Sequence, residues 1–264
     1  MKPSACLRGH YEAVKSVGIK DNMLISFGYD GVILSWNIRT RRHTTLCRIE
    51  EIRHGRVWGN YFIILNSKRF VKIKGDGTTV HEMAVLPSMC NFDIHKSTAI
   101  INRNEGIELI DLHTFESVMS IKPKVPPTSL LLLEDMIVVG CEDGSVVIFD
   151  KACNLVQQVK CHVEPVMALY FDSGNLYSGG PDYFLTKYHQ NSSKQIILPS
   201  NGVSWITSHD NILWIAGWKS LYNVKDDGEL IEYQVKTLFN MAVIFENQIF
   251  LANENSRIYV FDLL

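Results

Sequence analysis

The chain has 264 residues, 46% of them hydrophobic and 20% charged, with a formal net charge of −2 at pH 7. That is enough apolar material for a continuous core, and the richest apolar run, 129–140, is broken by Glu134 and Asp135, which excludes a membrane-spanning segment there. No signal peptide is visible at Met1-Lys2-Pro3-Ser4, so the expectation is a soluble intracellular protein of the nucleus, the cytoplasm or both.

Taken in chain order, short apolar strands come in pairs separated by turns: 23–25 with 32–36, 61–65 with 70–73, 98–101 with 107–110, 136–139 with 146–149, 175–177 with 184–188, 212–215 with 221–224, and 248–251 with 258–261. The second members end at Trp36, Ile73, Ile110, Phe149, Tyr188, Val224 and Phe261, with gaps of 37, 37, 39, 39, 36 and 37 residues. A period near 40 built from short strands and Gly/Asp/Asn turns is the mark of a β-propeller, whereas a helical repeat would show a 3.6-residue periodicity. Seven such periods use nearly all of the chain, which predicts an all-β, seven-bladed propeller formed by a single domain over 1–264 with no catalytic appendage. The last period stops at Leu264, after its third strand, while Ala5-Cys6-Leu7-Arg8 stands before the first Gly9-His10. The N-terminal segment is therefore expected to pair as the outermost strand of the last blade and close the ring, removing exposed sheet edges.

Two stretches 152 residues apart carry the same polar set at identical steps of 16, 4 and 6 residues: His10, Ser26, Asp30, Trp36 and His162, Ser178, Asp182, Tyr188. Either set alone has the residue types of a nucleophilic Ser/His/Asp triad, whose chemistry depends on geometry rather than spacing. Two copies offset by four blades argue for a structural role instead: a hydrogen-bonded tetrad of a WD-type blade, with Asp30 in the tight turn before Gly31 and Trp36 ending the next strand. Blades two and three lack it, with Cys47, Ser67 and Ile73, then Ala84, Asn104 and Ile110, at the equivalent positions.

Little else suggests chemistry. The six cysteines, Cys6, Cys47, Cys90, Cys141, Cys153 and Cys161, are scattered without a CxxC or Cys/His cluster, and read as reduced structural thiols. The formal sequon Asn191-Ser192-Ser193 is disregarded for an intracellular chain. Phosphate-loop, dinucleotide, zinc-protease and nucleophile-elbow motifs are absent. Adjacent carboxylates at Glu50-Glu51, Glu142-Asp143 and Asp226-Asp227 are expected to point apart into solvent, and His81 and His209 are isolated. The reading is a non-enzyme with no catalytic, cofactor or metal site and no small-molecule substrate. Two features remain as candidate partner surfaces. The stretch 39–74 holds ten basic residues, among them Arg41, Arg42 and Arg69, against Glu50 and Glu51, which suits phosphates, an acidic protein or simply a solvated rim. The residues before the turn aspartates, Tyr29, Glu142 and Pro181, with Trp218 at a matching place, are expected around one mouth of the ring, where an aromatic pair anchors a partner unless the Trp packs on its own blade.

The run Ser120-Ile121-Lys122-Pro123-Lys124, then 139–150 with Glu142-Asp143-Gly144-Ser145-Val146-Val147, then 161–173 beginning Cys161-His162-Val163-Glu164-Pro165-Val166-Met167, resembles the middle of the ASTRA-associated protein 1 family, called guanine nucleotide-binding protein β-subunit-like protein 1 in animals. The opening Leu7-Arg8-Gly9-His10, Asp30-Gly31-Val32 and 36–42 are similar to that family's first repeat, and Ala216-Gly217-Trp218 to its AGWD turn, although Lys219 stands where the turn has Asp. The resemblance implies a scaffold of the ASTRA assembly and chromatin regulation, partnered by the co-chaperones that mature phosphatidylinositol-3-kinase-related kinases and by kinase-like subunits. Two other classes stay open: an RNA-binding accessory subunit of a tRNA methyltransferase, supported by the basic stretch, and a heterotrimeric G-protein β subunit, disfavoured because a ring-closing strand near residue 5 leaves no room for an N-terminal coiled coil.

Overall fold

Both faces of most strands are apolar, which is why the segments read as near-continuous Val/Ile/Leu runs rather than strict alternation. In β3 (Met23–Gly28), for example, Leu24 joins one buried cluster and Ile25 and Phe27 the next, because successive side chains leave opposite faces of the sheet. The computed structural model describes residues 2–85, 92–103, 106–189, 192–199, 202–225, 229–235 and 237–263. Cys90, Asn104, Asn191, Asp226-Asp227 and Leu264 lie outside them, and the described residues contain no helix.

The chain forms two compact units, one of Met1–Pro87 with Tyr233–Leu264 and one of Ser88–Glu232. Among the described residues the strands make seven four-stranded antiparallel sheets, six of which follow the chain strand by strand. In the first unit, β2 (Val14–Lys20), β3, β4 (Val32–Asn37) and β5 (His43–Arg48) form one sheet. A second is β6 (His54–Trp58), β7 (Tyr61–Leu65), β8 (Arg69–Lys74) and β9 (Thr79–Ala84). The second unit holds β10 (Asp93–His95), β11 (Thr98–Arg103), β12 (Gly106–Asp111) and β13 (Glu116–Ile121), then β14 (Pro127–Leu132), β15 (Met136–Cys141), β16 (Ser145–Asp150) and β17 (Leu155–Lys160). It continues with β18 (Ala168–Asp172), β19 (Asn175–Gly179), β20 (Phe184–His189) and β21 (Ser192–Ile197), and with β22 (Val203–His209), β23 (Ile212–Gly217), β24 (Ser220–Val224) and β25 (Leu230–Gln234).

The seventh sheet, in the first unit, joins the two ends of the sequence. Strands β26 (Phe239–Phe245), β27 (Gln248–Asn253) and β28 (Arg257–Asp262) take β1 (Ala5–Arg8) as their outer strand, in the register Ala5↔Val260 to Arg8↔Arg257. Leu7 of β1 is buried in the cluster of Val14, Leu24, Leu34, Trp36, Phe250 and Ile258, so it packs as well as pairs. Neighbouring sheets are tied at their inner strands by hydrogen bonds one period apart: Gly55 N to Ser16 Oγ (2.8 Å), Leu132 N to Asp93 (3.0 Å), and Tyr170 Oη with Ser208 Oγ (3.0 Å). The five described cysteines are free thiols. Burial pushes the Cys47 thiol up to about 11.

Candidate functional site

In the first tetrad, the loop before β2, the strand β3 and the turn into β4 converge on His10. Its Nδ1 lies 3.1 Å from Asp30 Oδ1 and its Nε2 2.7 Å from Ser26 Oγ, while Trp36 Nε1 donates to Ser26 Oγ at 2.8 Å. The polarity that satisfies every atom runs from the Trp36 N–H to the Ser26 oxygen, from the Ser26 O–H to His10 Nε2, and from His10 Nδ1–H to Asp30. This chain uses a neutral imidazole, and burial holds the His10 pKa below its ordinary value despite the neighbouring Asp30. Asp30 also accepts from the backbone N–H groups of Tyr11 (2.9 Å) and Val32 (3.1 Å), fixing the turn.

The second set repeats this. His162 Nδ1 is 2.9 Å from both Asp182 oxygens, its Nε2 is 2.8 Å from Ser178 Oγ, and Asp182 accepts from the N–H groups of Val163 (3.1 Å) and Phe184 (3.4 Å). Its fourth member departs from the expectation. The buried Tyr188 hydroxyl makes no hydrogen bond of good geometry, and Cys161 Sγ approaches Ser178 Oγ at 3.9 Å instead. Burial, and after it the neighbouring Cys161 thiol, push the Tyr188 pKa up. Both serines are 0% exposed. No substrate carbonyl reaches either hydroxyl, so these sets have triad composition without a triad's access.

The four rim candidates all lie in the turn joining the second and third strands of their own sheets, Tyr29 in the first unit and Glu142, Pro181 and Trp218 in the second. Tyr29 is half-buried: its hydroxyl donates to Glu51, and Lys15 Nζ stands 5.6 Å from its ring centroid. Bonds from Ser67 N, Tyr29 and Arg53 hold the Glu51 carboxyl below its usual range. Trp218 is also half-buried. Its indole lies across Gly202, φ +83°, where a Cβ would come within 2.2 Å of the ring, so it packs on its own sheet. Glu142 is exposed and Pro181 half-buried.

The basic stretch is not one patch. Arg41 and Arg42 lie in the turn between β4 and β5, at the opposite end of the sheet from Tyr29, whereas Arg69 begins β8 at the Tyr29 end. Arg69 bonds Glu50 (3.0 Å) and Glu82 (2.9 Å), Arg53 bonds Glu51 (3.1 Å), and Lys72 is buried over the Trp58 and Tyr61 rings. Glu50 and Glu51 thus point to different partners, but onto arginines and the Ser67 N–H rather than freely into solvent.

Sequence reasoning passed over several exposed large apolar side chains, among them Tyr11 (82%), Val163 (80%), Ile197 (71%) and Tyr183 (48%). The first two follow the tetrad histidines. Because each gives its backbone N–H to the tetrad aspartate, its side chain is turned outward. The signal for Tyr183 was present in Asp182-Tyr183, which stands where two other turns read Asp30-Gly31 and Asp143-Gly144. A third polar group, Ser220 and Tyr222 on β24 bonded to Glu232 on β25 (2.5 and 3.4 Å), also went unread.

No protein-family model matches the sequence, and neither does any curated protein. Solved structures do match in fold. The WD40 domain of Neurospora crassa Pan2 is similar with a TM-score of 0.80 at 13% identity, over 98% of this chain and 94% of that one. A chain of the mitotic checkpoint complex gives 0.81 at 10% identity over 99% and 92%, and the computationally designed Ika8 protein 0.74 at 14% over the whole of both chains. The fold is therefore defined: the chain has a seven-bladed WD40-type β-propeller fold.

Proposed function

We propose that this protein is a non-enzymatic interaction scaffold of the ASTRA-associated kind, acting with the co-chaperones and kinase-like subunits of that assembly in chromatin regulation, in the nucleus or the cytoplasm. The observation that carries the scaffold reading is the burial of both Ser/His/Asp sets: the residues most suggestive of chemistry are used up inside the blades, while large apolar side chains stand exposed on the turns that the sets fix. The finer reading rests on the resembling segments, which build the fourth sheet and the loop that delivers His162. The basic residues of the tRNA-methyltransferase alternative are divided between opposite ends of two successive sheets and in part ion-paired, which lowers its support.

The test is affinity purification of the tagged chain from native extract, with fluorescence imaging of the same fusion. Kinase-maturation co-chaperones and a kinase-like protein are the expected companions. Recovery of a methyltransferase instead, released by ribonuclease or by moderate salt, overturns the proposal.

A further inference from the structure

We propose that the rim of the fifth sheet, made by Val163, Tyr183 and Ile197 and edged by Glu142 and Glu164, is a docking site for a protein segment in which a large apolar side chain is flanked by lysine or arginine. This deepens the scaffold reading and rests on it. The three apolar residues are neighbours through the backbone: Val163 N bonds Asp182, Tyr183 follows Asp182, Leu198 N bonds Tyr183 O at 2.8 Å, and Ile197 pairs with Phe184. The acidic edge joins them because His162 N bonds Gly144 O at 3.0 Å and Gly144 lies against the Glu164 carbonyl, which sets the Glu142 turn beside Val163.

Tyr183 argues for function over stability. Its φ is +67°, in the left-handed region, at the position that the equivalent turns give to Gly31 (+72°) and Gly144 (+83°). A bulky residue there is strained, and this one is half in solvent, so the strain is not offset by burial. A turn under selection for stability alone would carry glycine. Charge sets the partner's sign: residues 88–232, the unit bearing this rim, hold ten Lys/Arg against eighteen Asp/Glu, and Glu142 and Glu164 are both exposed. Exposed apolar side chains edged by two exposed carboxylates complement a basic, apolar segment.

The experiment selects short random peptides displayed on phage against the full chain. The enriched peptides are then titrated by fluorescence polarisation against wild type, Tyr183→Gly, Val163→Ser/Ile197→Ser and Glu142→Gln/Glu164→Gln. The expected result is a consensus of an aromatic or aliphatic residue beside Lys or Arg. Its affinity falls about tenfold or more in Tyr183→Gly, although that variant melts no lower than wild type because the turn strain is relieved. The Glu→Gln pair weakens binding and flattens its salt dependence. Acidic or uncharged consensus peptides, no enrichment, or peptides that bind all three variants unchanged overturn the inference. Companions retained by the same variants in the native-extract purification would then place the scaffold's contact on another face, whereas loss of every companion from wild type itself is a failure of the scaffold reading.

Discussion

Replacing Asp182 with alanine removes the acceptor around which the second tetrad is organised. Three donors lose their partner: His162 Nδ1, wholly buried, and the N–H groups of Val163 and Phe184 in a turn that water reaches. The two backbone groups rehydrate at small cost, so the penalty is dominated by the imidazole. A buried donor left unsatisfied costs about 1–3 kcal/mol, and a bond to a carboxylate lies at the upper end of that range, which gives about 2–3 kcal/mol here. For a chain of this size that lowers the melting temperature by about 5–10 °C. Differential scanning calorimetry of wild type, Asp182→Ala, Asp182→Asn and Asp143→Ala reads the effect. Asp182→Asn keeps an acceptor for His162 and should recover part of the loss. Asp143, exposed and bonded to Ser145, is the control and should cost about 1 kcal/mol or less. If Asp182→Ala melts together with Asp143→Ala, the tetrad is not the clamp described. If it melts with wild type while a hydrolase activity disappears, the scaffold reading falls too.

Deleting residues 2–8 strips β1 from β28, uncovers an edge and opens the cluster around Leu7; the melting temperature should drop sharply with concentration-dependent aggregation in light scattering, and Leu7→Ala alone should cost about 2–4 kcal/mol. Burial lowers the His10 pKa, and that of His54 well below the ordinary value, so the unfolded chain takes up protons near pH 6.5 that the folded chain refuses. Their contribution to stability is therefore complete above about pH 6.5 and is lost as pH falls through it toward the folded values, a slope that urea titrations at pH 7.5 and 5.5 should show and that His10→Gln/His54→Gln should flatten. Trp218→Ala should destabilise the fold by about 2 kcal/mol or more through lost packing on Gly202, so partner capture by that variant must be compared at matched folded fraction; an unchanged melting curve would mean the indole is free to bind.

What the sequence determined by itself was the repeat. A spacing of 16, 4 and 6 residues seen twice, and seven paired apolar strands, depend on local backbone geometry and on strands buried on both faces, so they are written in the linear pattern. Each predicted strand falls within an observed one, and Ala5-Cys6-Leu7-Arg8, read as the outermost strand of a last period with only three, pairs as β1 with β28. The candidate sites were legible only in part. Arg41, Arg42 and Arg69 are close in sequence, but they belong to two successive sheets and lie at turns on opposite ends of them, and Arg69 meets Glu82 from the neighbouring strand β9. The aromatic pair expected at one mouth of the ring is engaged within the chain, Tyr29 bonded to Glu51 and Trp218 laid on Gly202 of its own sheet, contacts made between residues 22 and 16 positions apart. Conversely, nothing in the linear pattern singles out Val163 or Ile197, and Tyr183 shows itself only by standing where two other turns carry glycine. Only the tertiary structure turns them outward, because the tetrad aspartate claims the Val163 N–H and the turn forces Tyr183 to a positive φ, and the side chains must then go where the backbone hydrogen bonds leave room.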